Sequence, residues 1–136
     1  MKKLPLIVCM MIVALTGCAS LKNKDTDLNY LDYAGQPIAS FWMPRLDGWT
    51  AVDDKLLVVR TELNKEYLLK LSGFCPNLRF ATTIGVTSSA GTVDRFEKVI
   101  VEKDTCMISE IRPIDSARMK ADRKALKTKR AAEKKQ

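Results

Sequence analysis

The chain has 136 residues, 23 Lys and Arg against 16 Asp and Glu, a formal net charge of +7, and no histidine. That length holds a single small domain. The missing imidazole excludes Ser-His-Asp and Cys-His nucleophile systems and removes the commonest general base near neutral pH. The charge is also uneven, because Cys18 to Asp115 carries 12 basic and 14 acidic residues whereas Ser116 to Gln136 carries 9 basic residues against Asp122 and Glu133. The expected object is a slightly acidic body with a basic tail.

Residues 1–17 open with Met1, Lys2 and Lys3, continue as an apolar run from Leu4 to Leu15, and end in small residues. This is the pattern of an export signal. At about 1.5 Å per residue the apolar run would span roughly 18 Å as a helix, well short of a roughly 30 Å hydrocarbon core, which argues against a transmembrane anchor. The ending Leu15-Thr16-Gly17-Cys18 resembles the lipobox of bacterial lipoproteins. That resemblance implies a diacylglycerol on the Cys18 sulfur, cleavage before Cys18 and acylation of the new amino group. Two or more acyl chains hold a protein to a bilayer durably, where one holds it marginally. Ala19 and Ser20 follow, and the absence of Asp after the cysteine points, by the same resemblance, to the periplasmic face of the outer membrane.

The stretch 18–36 reads as the lipidated cysteine and a polar tether. As a flexible coil its eighteen residues after Cys18 would have a root-mean-square span of roughly 20 to 25 Å. Tyr30, Leu31 and Tyr33 interrupt its polarity and are expected to dock on the domain or form its first element. Gly35 and Pro37 mark entry into a folded region over 37–115.

Within that region Phe41, Trp42 and Trp49 read as core or core-rim aromatics, with Asp47-Gly48 as a turn. Leu56 to Arg60 and Tyr67 to Leu71 form a predicted β-hairpin. In its second strand Tyr67, Leu69 and Leu71 share one face and Lys70 the other. The segment Leu78 to Thr83 suits a short helix, Ile84 to Thr87 a strand, and Ser88 to Gly91 a link. A second hairpin is expected from Phe96 to Glu102 and Thr105 to Arg112, turning at Lys103-Asp104.

With Cys9 in the leader and Cys18 lipidated, Cys75 and Cys106 remain, and in an oxidising compartment they are expected to form a disulfide. The fold class is therefore mainly β: a small antiparallel barrel or sandwich with one disulfide, or alternatively an α+β domain with one short helix. A domain of this size buries only about 60 to 65 per cent of its unfolded surface, so a crosslink is physically reasonable.

The succession Trp49, Asp53, Leu57-Val58-Val59, Tyr67-Leu68-Leu69-Lys70-Leu71, Cys75-Pro76-Asn77-Leu78, Ile84-Gly85, Val99-Ile100-Val101, Cys106 and Ile108 to Ile111 resembles a domain-of-unknown-function family of small secreted proteobacterial proteins, many of them lipoprotein-like. The resemblance covers about 37–115. It implies a fold and supplies no catalytic or binding residues.

Asp47, Asp53, Asp54, Asp94, Glu97 and Glu102 are the carboxylates that a hydrolase could pair, yet each falls at an expected turn or on a polar strand face. Gly85 and Gly91 are isolated and lack the spacing of a phosphate loop, and two cysteines far apart without histidine make a poor metal set. No enzyme, cofactor or metal is expected. In the tail 116–136, Arg118, Lys120, Arg123, Lys124, Lys127, Lys129 and Arg130 alternate with alanines, while Met119 and Leu126 share a face. The tail reads either as a disordered solubilising end or as a helix drawn to an anionic surface, with a salt-sensitive attraction. Its candidate partners are an anionic lipid or another envelope protein. Nucleic acid does not meet a periplasmic lipoprotein. The leading expectation is a non-enzymatic binding or structural module of the bacterial envelope; the alternative is a small β-barrel lipoprotein that inhibits a soluble enzyme or binds a small ligand.

Overall fold

The computed structural model describes residues 28–62 and 64–135; the export-type leader, Cys18 and the first part of the polar stretch lie outside them. Eight strands are present among the described residues: β1 (Ser40–Trp42), β2 (Leu46–Ala51), β3 (Leu56–Thr61), β4 (Glu66–Leu71), β5 (Ile84–Val86), β6 (Thr92–Asp94), β7 (Lys98–Val101) and β8 (Asp104–Ile114). Two 3-10 turns, Tyr30–Tyr33 and Leu78–Phe80, and one helix, α1 (Ser116–Glu133), are the other elements among the described residues. The main sheet runs β2-β3-β4-β8-β7-β5, antiparallel throughout, and curls into a nearly closed six-stranded barrel; β1 and β6 pair separately.

Closure depends on β8, which is eleven residues long and serves two neighbours. Its first part pairs with β7 and its second part with β4. Where β7 has ended, the segment after the first 3-10 turn takes over, with Gly35 N–H donating to Pro113 O at 2.8 Å and Ile38 N–H to Ile111 O at 2.8 Å. The β4–β8 register slips between Lys70 and Leu71, and the β2–β3 register slips between Leu46 and Gly48. Such irregularities bend a strand and sharpen its twist, which helps a small sheet curl.

The first predicted hairpin is β3–β4, with Leu57 opposite Leu69 and Val59 opposite Tyr67. Leu57, Val59, Leu69 and Leu71 enter the barrel core together with Val93, Val99, Val101, Ile108 and Ile111. Tyr67 stacks on Phe41 with ring centroids 4.0 Å apart. The alternate residues Val58 and Leu68 are buried as well, in a second cluster on the outer face of the sheet with Tyr33, Ile114 and Met119. This explains the unbroken run Leu57-Val58-Val59: the two strands are covered on both faces where the 3-10 turn and the root of α1 lie over them.

Three local expectations are corrected. The β7–β8 turn lies at Glu102-Lys103, one residue before Lys103-Asp104, because Val101 pairs with Asp104 and Glu102 takes the left-handed φ of 54°. Asp47-Gly48 sits inside β2, at its register slip, rather than at a turn. There the Arg60 side chain passes so close that a Cβ on Gly48 would lie 2.6 Å from its guanidinium, so a larger residue would have to displace the end of that arginine. Trp42 is a surface residue at 57% exposure. One face of its ring covers Gly91, whose φ is 79° and where an added Cβ would stand 2.8 Å from the indole. Phe41 and Trp49 pack with the core as expected, and the Leu78–Phe80 segment is a single 3-10 turn.

Candidate functional site

The basic C-terminal segment forms a helix, and its first two turns are built into the body of the protein. Asp115 caps it, its Oδ1 accepting from Arg118 N–H at 3.0 Å, which satisfies a backbone donor that a helix N-terminus leaves open. Ser116 Oγ–H donates to Glu66 at 2.9 Å, and Met119, 2% exposed, fills the second cluster. Across from them Tyr33 O–H donates to Asp122 Oδ2 at 2.7 Å. The Arg118 guanidinium lies 4.7 Å from the Tyr33 ring centroid and donates to Asp32 O, so this cation is engaged in docking the helix. The first 3-10 turn and α1, 89 positions apart at the Tyr33–Asp122 bond, thus hold one another.

The Tyr33 phenol is pushed above its ordinary value of 10.0, first by the hydrogen bond to Asp122, then by burial and by the Asp122 charge. A raised phenol holds its proton more tightly in the folded state than in the unfolded state. Its contribution is therefore full below pH 10.0 and is lost as pH rises through the folded value. Raising the pH above 10 is expected to loosen the helix root in step with phenolate absorbance at Tyr33, and Tyr33→Phe to remove that step. Unchanged helix-root hydrogen exchange across the same titration would contradict it.

Beyond Asp122 the helix is mostly solvent-exposed. Every residue from Arg123 to Lys135 is exposed except Leu126, which is half-buried. Lys120, Arg123, Lys124, Lys127, Lys129 and Arg130 all lie on this exposed rod or at its base.

A different surface lies past the other end of β4. Cys75 and Cys106 are bonded, their Cα atoms 5.8 Å apart and 31 positions apart in the chain; the bond ties the segment after β4 to the first part of β8. Cys75 N–H donates to Asp54 O at 2.9 Å, and Asn77, at a left-handed φ of 61°, turns the chain into the 3-10 turn. This braced loop carries Phe74 and Phe80 into solvent at 64% and 82% exposure. Sequence reasoning passed over both phenylalanines, because a lone aromatic in an irregular segment gives no periodic signal of which way it faces.

Four of the six candidate carboxylates serve local structure. Asp47 pairs with Arg60 at 3.6 Å, Asp53 accepts from the backbone of Lys55 and Leu56 at 2.6 and 2.8 Å, and Asp94 accepts from Phe96 N–H at 2.7 Å. Glu97 receives the hydroxyls of Thr87 and Ser89, which hold its carboxyl below its ordinary value. Glu102 occupies the β7–β8 turn. Among the described residues no three His, Cys, Asp or Glu side chains gather as a metal set. An open groove of about 600 Å³ runs between β1, β6 and β8, lined by Ile38, Ser40, Asp94, Phe96 and Glu110 among others. A second, of about 380 Å³, lies on the outer face beside Leu31, Leu56, Leu68 and Arg112. Both are surface features, and the barrel interior is filled by the core side chains.

Comparison with known protein families gives a match over residues 1–130 to a family of unknown function, DUF6491. No curated protein and no solved structure matches the chain.

Proposed function

For a chain that belongs to the DUF6491 family of unknown function, we propose the role of a lipid-anchored bacterial envelope protein: a non-catalytic module that binds another envelope component, held at the periplasmic face of the outer membrane through Cys18. The observation that carries this reading is the Cys75–Cys106 disulfide. Disulfides persist in oxidising compartments and are rare in the cytosol, which agrees with an exported chain whose remaining cysteines are Cys9 in the leader and Cys18 at the lipobox-like ending. A non-catalytic role is supported by the local duties of Asp47, Asp53, Asp94 and Glu97 and by the missing histidine. Nucleic acid is not a partner in this reading, and no cofactor is required.

The test is made in cells. Labelled fatty acid is expected on the wild-type protein and absent from Cys18→Ala, with the wild type in the membrane fraction and cleaved before Cys18. An intact mass showing an unmodified, uncleaved N-terminus would overturn the anchor, as would a soluble cytoplasmic product with free thiols.

A second reading, the inhibition of a soluble enzyme, draws on the disulfide-braced loop with exposed Phe74 and Phe80. Rigid aromatic anchors are what a partner's cleft accepts at low entropic cost. The filled barrel interior favours protein binding over carriage of a small ligand.

A further inference from the structure

At 3.6 residues per turn, Lys120, Arg123, Lys124, Lys127 and Lys134 fall within an arc of about 100° on one side of α1. All five are exposed. Asp122 and Glu133 lie outside that arc, and Asp122 is turned to Tyr33. Like charges three, four and seven positions apart repel along a helix, so this row does not serve the helix itself. No aromatic side chain accompanies it from Arg123 to Lys135, and the apolar residues there are alanines and the half-buried Leu126. A protein partner is normally gripped by aromatic or other large anchors in a desolvated centre; a flat row of cations without them suits an extended plane of negative charge.

The root of α1 says which plane. It is locked to the 3-10 turn Tyr30–Tyr33 by Met119, Arg118 and Asp122, and that turn is the first element among the described residues. Ten positions separate Cys18 from Leu28, so the chain between them reaches at most roughly 35 Å. A lipid on Cys18 would keep the cationic face within a few nanometres of one bilayer, at a high effective concentration of its headgroups.

We propose that α1 lays its Lys120, Arg123, Lys124, Lys127 and Lys134 face on the anionic phospholipid headgroups of the same bilayer that holds Cys18. The proposal rests on the lipid-anchor reading for its geometry. Contact is with the surface rather than by insertion, since no described helix is long and apolar enough to cross a membrane. The anchored end of the molecule thereby binds twice, and the Phe74–Phe80 loop, past the other end of β4, is left to face other molecules.

The experiment uses the full chain purified from membranes and mixed with vesicles of phosphatidylcholine alone or with added phosphatidylglycerol. Bound protein is labelled with an amine-reactive reagent and read residue by residue by mass spectrometry. On anionic vesicles, labelling of Lys120, Lys124 and Lys127 is expected to fall about fivefold relative to Lys55. The protection should vanish in about 0.5 M salt, where the screening length is near 4 Å, and in Arg123→Glu/Lys134→Glu, whose exposed substitutions leave the fold intact. Equal labelling on both vesicles, with the protein bound to each, upholds the anchor and overturns the proposal. Protection that needs an added acidic envelope protein rather than anionic lipid also overturns it. Protein that ignores phosphatidylcholine vesicles yet shows the protection on anionic ones supports the helix face and overturns the anchor.

Discussion

Replacing Cys75 and Cys106 together by alanine is expected to lower the unfolding free energy by about 3 to 4 kcal/mol, as read from urea denaturation with and without the substitutions. The bond closes a 31-residue separation, and fixing the ends of such a loop removes that much chain entropy from the unfolded state. For a domain whose whole stability is of the order of 5 to 15 kcal/mol, the loss is large. Position adds to it: Cys75 is fully buried and Cys106 8% exposed, so both sulfurs also pack against the core. Reduction of the wild-type protein should reproduce most of the effect. A double variant with an unshifted midpoint would mean that the barrel holds this segment without the crosslink, and the bond would then be a sign of compartment rather than a source of stability.

Met119→Ala is expected to cost about 2 to 4 kcal/mol, in the range found for truncating a buried methionine, and to do so unevenly. Met119 is 2% exposed and packs with Tyr33, Val58, Leu68 and Ile114 outside the barrel. The barrel core holds a separate set of side chains. The truncation should therefore raise hydrogen exchange first in Ser116–Asp122 and in the 3-10 turn Tyr30–Tyr33, with β7 and β8 affected last. Uniform loss of protection across all strands would show instead that the two clusters unfold as one. The same argument places the end of the folded body near Asp122: a truncation beginning at Arg123 keeps the helix root, whereas one beginning at Ser116 removes a core residue.

The sequence reported the barrel through its hairpins. Period-two alternation in Tyr67 to Leu71 and the β-branched run at Val58-Val59 are local properties of strands, so β3 and β4 were legible to within a residue. Strands β1, β2 and β6 were not. Each is short or interrupted, and β1 and β6 meet across about fifty positions, where no local pattern reports a partner. The same holds at the helix: alternating alanines and cations gave its propensity, but a helix of that composition is marginal alone. What settled its state was Tyr33 and Met119 burying one another's surroundings.

By itself the sequence determined the charge segregation, the mainly β fold class and the pairing of Cys75 with Cys106, because each is written in composition, order or count. The tertiary structure alone decided that β3 and β4 are buried on both faces, that Arg118 and Asp122 lock the tail to the start of the body, that five exposed cations stand on one side of α1, and that Phe74 and Phe80 face solvent. These depend on which distant segments cover which face, and coverage is a property of packing that no window along the chain contains.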